Sequence, residues 1–132
     1  EETAERIHRA LAGSVTRSPA ASPSFLTGVE LMLGEKIEVV IAGVPGAEDT
    51  AAMVRKIYSH YIPGSVVILR PSGEETPEIA EIAGFTRDMV MIGGRATAYV
   101  CTNHACRIPT TDPDKMLQAA GTGGIRRHQP GV

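Results

Sequence analysis

Ile37-Glu38-Val39-Val40-Ile41-Ala42 decides the fold. It is β-branched and nearly all apolar, as a strand buried on both faces of a parallel sheet reads. Gly43-Val44-Pro45-Gly46 breaks the run, and Glu48-Asp49-Thr50 opens a helix with acids at its positive end. Ala51, Val54, Ile57, Tyr58 and Tyr61 supply the apolar face of that helix, which Pro63-Gly64 stops. Ser65 to Leu69 reads as a second buried strand. Pro77 and Glu78, with Thr76 as cap, start a short helix ending at Gly84. Thr97 to Val100 is a third strand, and Thr111-Asp112-Pro113 starts a last helix through Met116, Leu117 and Ala120.

Upstream, Ala4, Ile7 and Leu11 mark a helix over 3–12 with Thr3 as cap and Gly13 as stop. Ser14 to Ala21 reads as a loop. Pro23 to Leu33 forms a second helix, with Leu26, Val29 and Leu33 on its apolar face. The expected order is an antiparallel helix pair followed by β-α-β-α-β-α. Strands alternating with helices predict a small three-layer α/β/α domain with a parallel sheet of three or so strands and right-handed crossovers. The order 2-1-3 is favoured, because the first strand is the most apolar and fits the centre; 3-2-1 stays open. The expected organisation is 1–34 helix pair, 35–120 α/β domain and 121–132 disordered tail.

Composition excludes several classes. The 132 residues are 42% hydrophobic and 21% charged, which suits one globular domain. No apolar run approaches membrane-spanning length, and no membrane partner is expected. A net charge of −2 argues against a nucleic-acid partner, and Arg126-Arg127-His128 is too small a cluster to change that. With no Trp, 3 Tyr and 2 Phe, a stacking platform is absent. Two cysteines do not make a disulfide scaffold, so a cytoplasmic chain with reduced thiols is the expectation. The first residue is not Met, which fits a piece cut from a longer protein.

Both cysteines sit in Ala98-Tyr99-Val100-Cys101, then Cys106, with His104 between them. In an all-parallel sheet Cys101 would mark the carboxyl end of strand three, where ligands bind. A four-residue spacer can bring the pair within disulfide range, so Cys101 and Cys106 are the candidate catalytic residues of a thiol-disulfide module. The competing reading is two buried, inert cysteines anchoring a loop. Cys101, His104 and Cys106 are also metal-ligand types, but no fourth ligand stands near them; His8, His60 and His128 are distant. Gly43 to Gly46 lacks the glycine spacing of a nucleotide loop, and Glu48 and Asp49 would repel a phosphate. No cofactor motif is present, and small-molecule binding at the strand ends is a further option. Tyr58 and Tyr61 read as core, His60 as a helix-end residue favoured by the dipole, and Glu74-Glu75 as solvated surface. No serine-nucleophile arrangement is visible.

The block Ala98-Tyr99-Val100-Cys101, Cys106, Pro109 and Thr111-Asp112-Pro113 resembles the C-terminal end of a multidomain family. That family comprises the YyaL-like and spermatogenesis-associated thioredoxin-like proteins, and Ile37–Gly43 is similar to its strand after an (α/α)6 toroid. The resemblance implies an N-terminal thioredoxin-like domain and a toroid elsewhere in the parent protein. The first two helices would be the toroid's last pair. It implies a C-terminal accessory domain, non-catalytic alone, with the remainder of the parent as its partner. Cutting such a domain free leaves an apolar patch at Leu26, Val29 or Leu33, which predicts self-association of the fragment.

Overall fold

The computed structural model describes residues 2–73 and 77–121. The chain divides into two units, Glu1–Gly34 and Glu35–Val132. The expected cap at Thr76, the Glu74-Glu75 pair and the tail beyond Gly121 lie outside the described residues.

In the first unit, α1 spans Glu2–Arg17 and α2 spans Pro23–Leu33, joined through a 3-10 turn at Pro19–Ala21. α1 runs one turn past the expected stop, because Gly13 sits inside the helix without breaking it. One glycine costs only about 1 kcal/mol in a helix interior, and Thr16 Oγ1 donates back to Ala12 O at 2.8 Å. The helices touch where His8 lies against Phe25, ring centroids 4.8 Å apart, and where Gly28 leaves room for the same imidazole.

The second unit holds β1 (Ile37–Gly43), α3 (Glu48–Tyr58), β2 (Ser65–Pro71), α4 (Glu78–Ile82), β3 (Thr97–Thr102), β4 (Ala105–Cys106) and α5 (Pro113–Gly121). It is a small α/β domain whose sheet runs in the order β2-β1-β3-β4. The apolar first strand is indeed internal: Val39, Val40, Ile41 and Ala42 are fully buried. β1 and β2 are parallel, from Ile37 opposite Ser65 to Gly43 opposite Pro71.

The all-parallel expectation fails at β3, which runs antiparallel to β1, Ile37 facing Thr102 and Ala42 facing Thr97. The reason is length. A parallel crossover must carry the chain back along a seven-residue strand, roughly 23 Å. The 11-residue α3 does most of this between β1 and β2. α4 has 5 residues, about 7.5 Å of helix. The chain therefore stays at the carboxyl ends of β1 and β2 and enters β3 from there. Asp49 fixes the entry: its Oδ2 accepts from Ala96 N at 2.7 Å and its Oδ1 from Thr50 N at 2.8 Å. These two backbone donors hold the Asp49 carboxyl below the usual aspartate range.

The main core lies on one sheet face, where Ile37, Val39, Ile41, Ala98 and Val100 meet Met53 and Ile57 of α3 and Met116 and Ala120 of α5. On the other face Val40 and Cys101 pack with Met89, flanked by Ile68 and Tyr99. The expected third layer is thus thin, its buried contribution being Met89 from the coil after a 3-10 turn at Gly84–Thr86. α3 ends at Tyr58, and Tyr58 and Tyr61 are 69% and 91% exposed, not core. Thr50, Met53 and Ile57 already fill the inward stripe, and Tyr58 falls beside it. His60 Nδ1 lies 3.2 Å from Lys56 O at the end of that helix. Asp112 caps α5, accepting from Asp114 N at 2.8 Å and Lys115 N at 3.3 Å; those donors lower its carboxyl as well.

Candidate functional site: a clamped hairpin

Because β3 is reversed, Cys101 lies beside Glu38, at the end of the sheet where β1 and β2 begin. The strand-end argument that placed the cysteines at a ligand crevice therefore does not hold. They form a local structure of another kind. Thr102 pairs with Ala105 and Cys101 with Cys106, so Asn103 and His104 are a two-residue hairpin loop. Both have positive φ, 49° and 67°, as a type I′ turn requires. Asn tolerates that conformation well; His does so at some cost.

Asn103 also ties the loop to the start of β1. Its backbone N–H donates to Lys36 O at 3.0 Å, and its side-chain Oδ1 accepts from Lys36 N at 3.2 Å. Asn103 thus continues the sheet ladder through a side chain. His104 Nδ1 stands 3.9 Å from Glu38 Oε2 with its own side chain 82% exposed, and an ion pair so exposed contributes little. Below the loop, Arg107 N donates to Val100 O at 2.9 Å. Cys101 and Cys106 therefore face each other at a non-hydrogen-bonded pair of the ladder, where side chains come closest. They are joined in a disulfide with Cα atoms 3.8 Å apart. After Ile108-Pro109 the chain pairs again, Ala98 and Thr110 exchanging both backbone bonds.

Two expectations change here. The thiols expected as reduced are bonded to each other, and only one of the two cysteines is buried: Cys101 is 1% exposed, whereas Cys106 is exposed. The Cys101-His104-Cys106 trio is not assembled for a metal, since both sulfurs are consumed in the S–S bond. Among the described residues no group of three His, Cys, Asp or Glu is placed to hold one. Thiol exchange would have to begin at the exposed Cys106 sulfur and expel Cys101 as a thiolate. That leaving group would sit among Val40 and Met89, with Glu38 as its cross-strand neighbour, and burial disfavours a thiolate. The arrangement suits a mechanical clamp better than an exchange centre.

The Gly43–Gly46 turn, at the opposite end of the sheet, is closed by Ala47 N donating to Val44 O at 3.1 Å, with Gly46 at φ +82°. Asp49 takes the first free backbone donors of α3, and Glu48 pairs with Arg55 at 2.6 Å. The helix start is thus already supplied with negative charge from its own chain. Gly43 is needed for packing: a Cβ there would overlap Thr50 Oγ1, a buried hydroxyl with no hydrogen-bond partner.

The hairpin was open to sequence reasoning through one signal that the cysteine spacing hid. Thr-Asn-His-Ala between two cysteines is a two-residue loop with Asn at its first position, a hairpin signature. The roles of Asp49, Glu38 and Lys36 depend on contacts from distant strands and have no local signal.

No family model matches the chain, and no solved structure matches it. Over 100 residues, 76% of this chain, it is 34% identical to human spermatogenesis-associated protein 20. Over the same share it is 32% and 31% identical to the rat and mouse proteins of that name. The chain spans about an eighth of the length of these relatives, 13% of the human protein and 12% of the rodent ones. With about a third of its residues matched across three-quarters of its length, the chain belongs to the spermatogenesis-associated protein 20 family, a family of multidomain proteins.

Proposed function

We propose that this chain is the C-terminal accessory α/β domain of a longer thioredoxin-like protein, non-catalytic by itself, and that its helix pair docks on the remainder of the parent. One observation carries the reading. The first unit leaves Ile7, Leu11, Leu26, Leu31 and Leu33 exposed at 53%, 45%, 42%, 58% and 80%. An amphipathic helix forms stably by burying its apolar stripe, and contiguous exposed apolar surface of this kind marks an interface. Relatives some eight times longer supply the polypeptide to cover it. In this reading the clamped hairpin is a structural feature that holds the edge of the sheet, and no chemistry is assigned to it.

The test compares hydrogen exchange of residues 2–33 in the full-length parent and in this chain alone. Strong protection appearing only in the parent is the expected result. Equal exchange in both would overturn the reading. Leu31→Glu and Leu33→Glu in the parent should destabilise it, with the isolated chain unaffected. The second reading, a thiol-disulfide module using Cys101 and Cys106, draws on the exposure of Cys106. It requires the isolated chain to catalyse disulfide exchange on a model substrate; the accessory reading expects the uncatalysed rate.

A further inference from the structure

β2 is the last strand on its side of the sheet. Among the described residues, no strand pairs with its outer edge. Its backbone donors can be sorted by direction. Ile37 N donates to Gly64 O and Ser72 N donates to Gly43 O, so even-numbered residues of β2 point their N–H and C=O groups toward β1. Val67 and Leu69 therefore direct both groups outward. Ser65 N is already used by Ile62 O at 3.3 Å, and Pro71 has no donor. The strand is apolar from Val66 to Leu69, and those two residues are 56% and 39% exposed. Edge strands are ordinarily blunted by lysines, inward charges or bulges; here only Pro71, at the very end, does so.

We propose that the outer edge of β2 is a homodimer interface, two copies pairing antiparallel about a twofold axis through Ile68. This register is self-complementary. It sets Val67 opposite Leu69 of the second copy as a hydrogen-bonded pair, and repeats that pair across the axis, giving four backbone bonds. Ile68 faces itself on one side of the sheet, and Val67 and Leu69 continue the apolar surface on the other. Val66 stands opposite Arg70 of the second copy, so no like charges meet. Shifting the register by one residue would set outward groups against groups already bonded to β1. The two parallel β1–β2 sheets thereby join into one continuous sheet. The proposal does not rest on docking of the helix pair, which involves other residues.

Val66 provides the test, because its partner is charged. Sedimentation equilibrium on the full chain, from micromolar to near-millimolar concentration, should show a monomer-dimer equilibrium. Val66→Lys places a cation opposite Arg70 at two symmetric positions and should weaken the dimer about tenfold, from cross-strand charge pairs of up to about 1 kcal/mol each. Val66→Glu should tighten it by a similar factor, with both effects shrinking at high salt. The amides of Val67 and Leu69 should exchange faster on dilution. A chain that stays monomeric throughout overturns the proposal. So does a dimer indifferent to the sign of the charge at 66, or one abolished instead by Leu31→Glu with Leu33→Glu. The latter outcome would leave the helix-pair reading standing.

Discussion

Reducing the Cys101–Cys106 bond should destabilise the second unit by a bounded amount. The cysteines are 5 apart in sequence, so the bond closes a very short loop. The chain-entropy relation then gives about 2 kcal/mol at 25 °C. The figure is an upper bound, because it assumes that the hairpin survives in the reduced native state. The Thr102–Ala105 pair, the Arg107–Val100 bond and the two Asn103–Lys36 bonds would have to hold β4 unaided. If they fray, the loss stops at what the hairpin itself contributes. Urea unfolding with and without a phosphine reductant, thiols then alkylated, measures this. With a denaturant slope of about 1–2 kcal/mol/M for a domain of this size, the midpoint should fall by roughly 1–2 M. Cys106→Ala should match the reduced protein, since the exposed sulfur packs little. Cys101→Ala should cost about 1 kcal/mol more, because it also empties a packed site beside Val40 and Met89. An unchanged midpoint on reduction would show that the clamp adds nothing to the sheet. Complete unfolding would refute the reasoning the other way, making the bond the organiser of the whole domain.

Gly43→Ala should cost about 1–3 kcal/mol by overpacking against Thr50, and Thr50→Ala in the same chain should recover part of it; thermal melts of the two variants decide. His104→Gly should raise stability by up to about 1 kcal/mol, since glycine accepts the positive φ of the hairpin loop without strain, while Asn103→Ala should lower it by removing the acceptor for Lys36 N–H. Asp49 and Asp112 both titrate below the ordinary aspartate value because backbone N–H groups bind the charged form. Their contribution is therefore present above about pH 4 and lost as pH falls through the folded values. Asp49→Asn should flatten the acid limb of the stability curve, and an acid limb identical to the parent's would exclude that role.

The strand positions and their order were readable because burial writes itself into local sequence. Five apolar residues in Ile37 to Ala42 require the centre of a sheet, and β1 occupies it. The direction of β3 was not readable by the same means. An antiparallel strand with both faces covered has the same apolar run as a parallel one, and Thr97 to Val100 looks alike in either sense. What distinguishes them is the reach of the segment before it, and a five-residue helix is too short to return the chain. Counting rise per residue over α4 would have reversed the assignment and, with it, the end of the sheet that carries the cysteines. The site expectation failed for that single reason, because the residues were correct and their placement was wrong. With β3 reversed, a pair expected at a ligand crevice becomes a cross-strand tie beside Lys36 and Glu38. The same reversal leaves β2 alone as the outer strand on its side, with Val67 and Leu69 facing outward. One short helix thus decides both where the cysteines act and which edge of the sheet remains open to a partner.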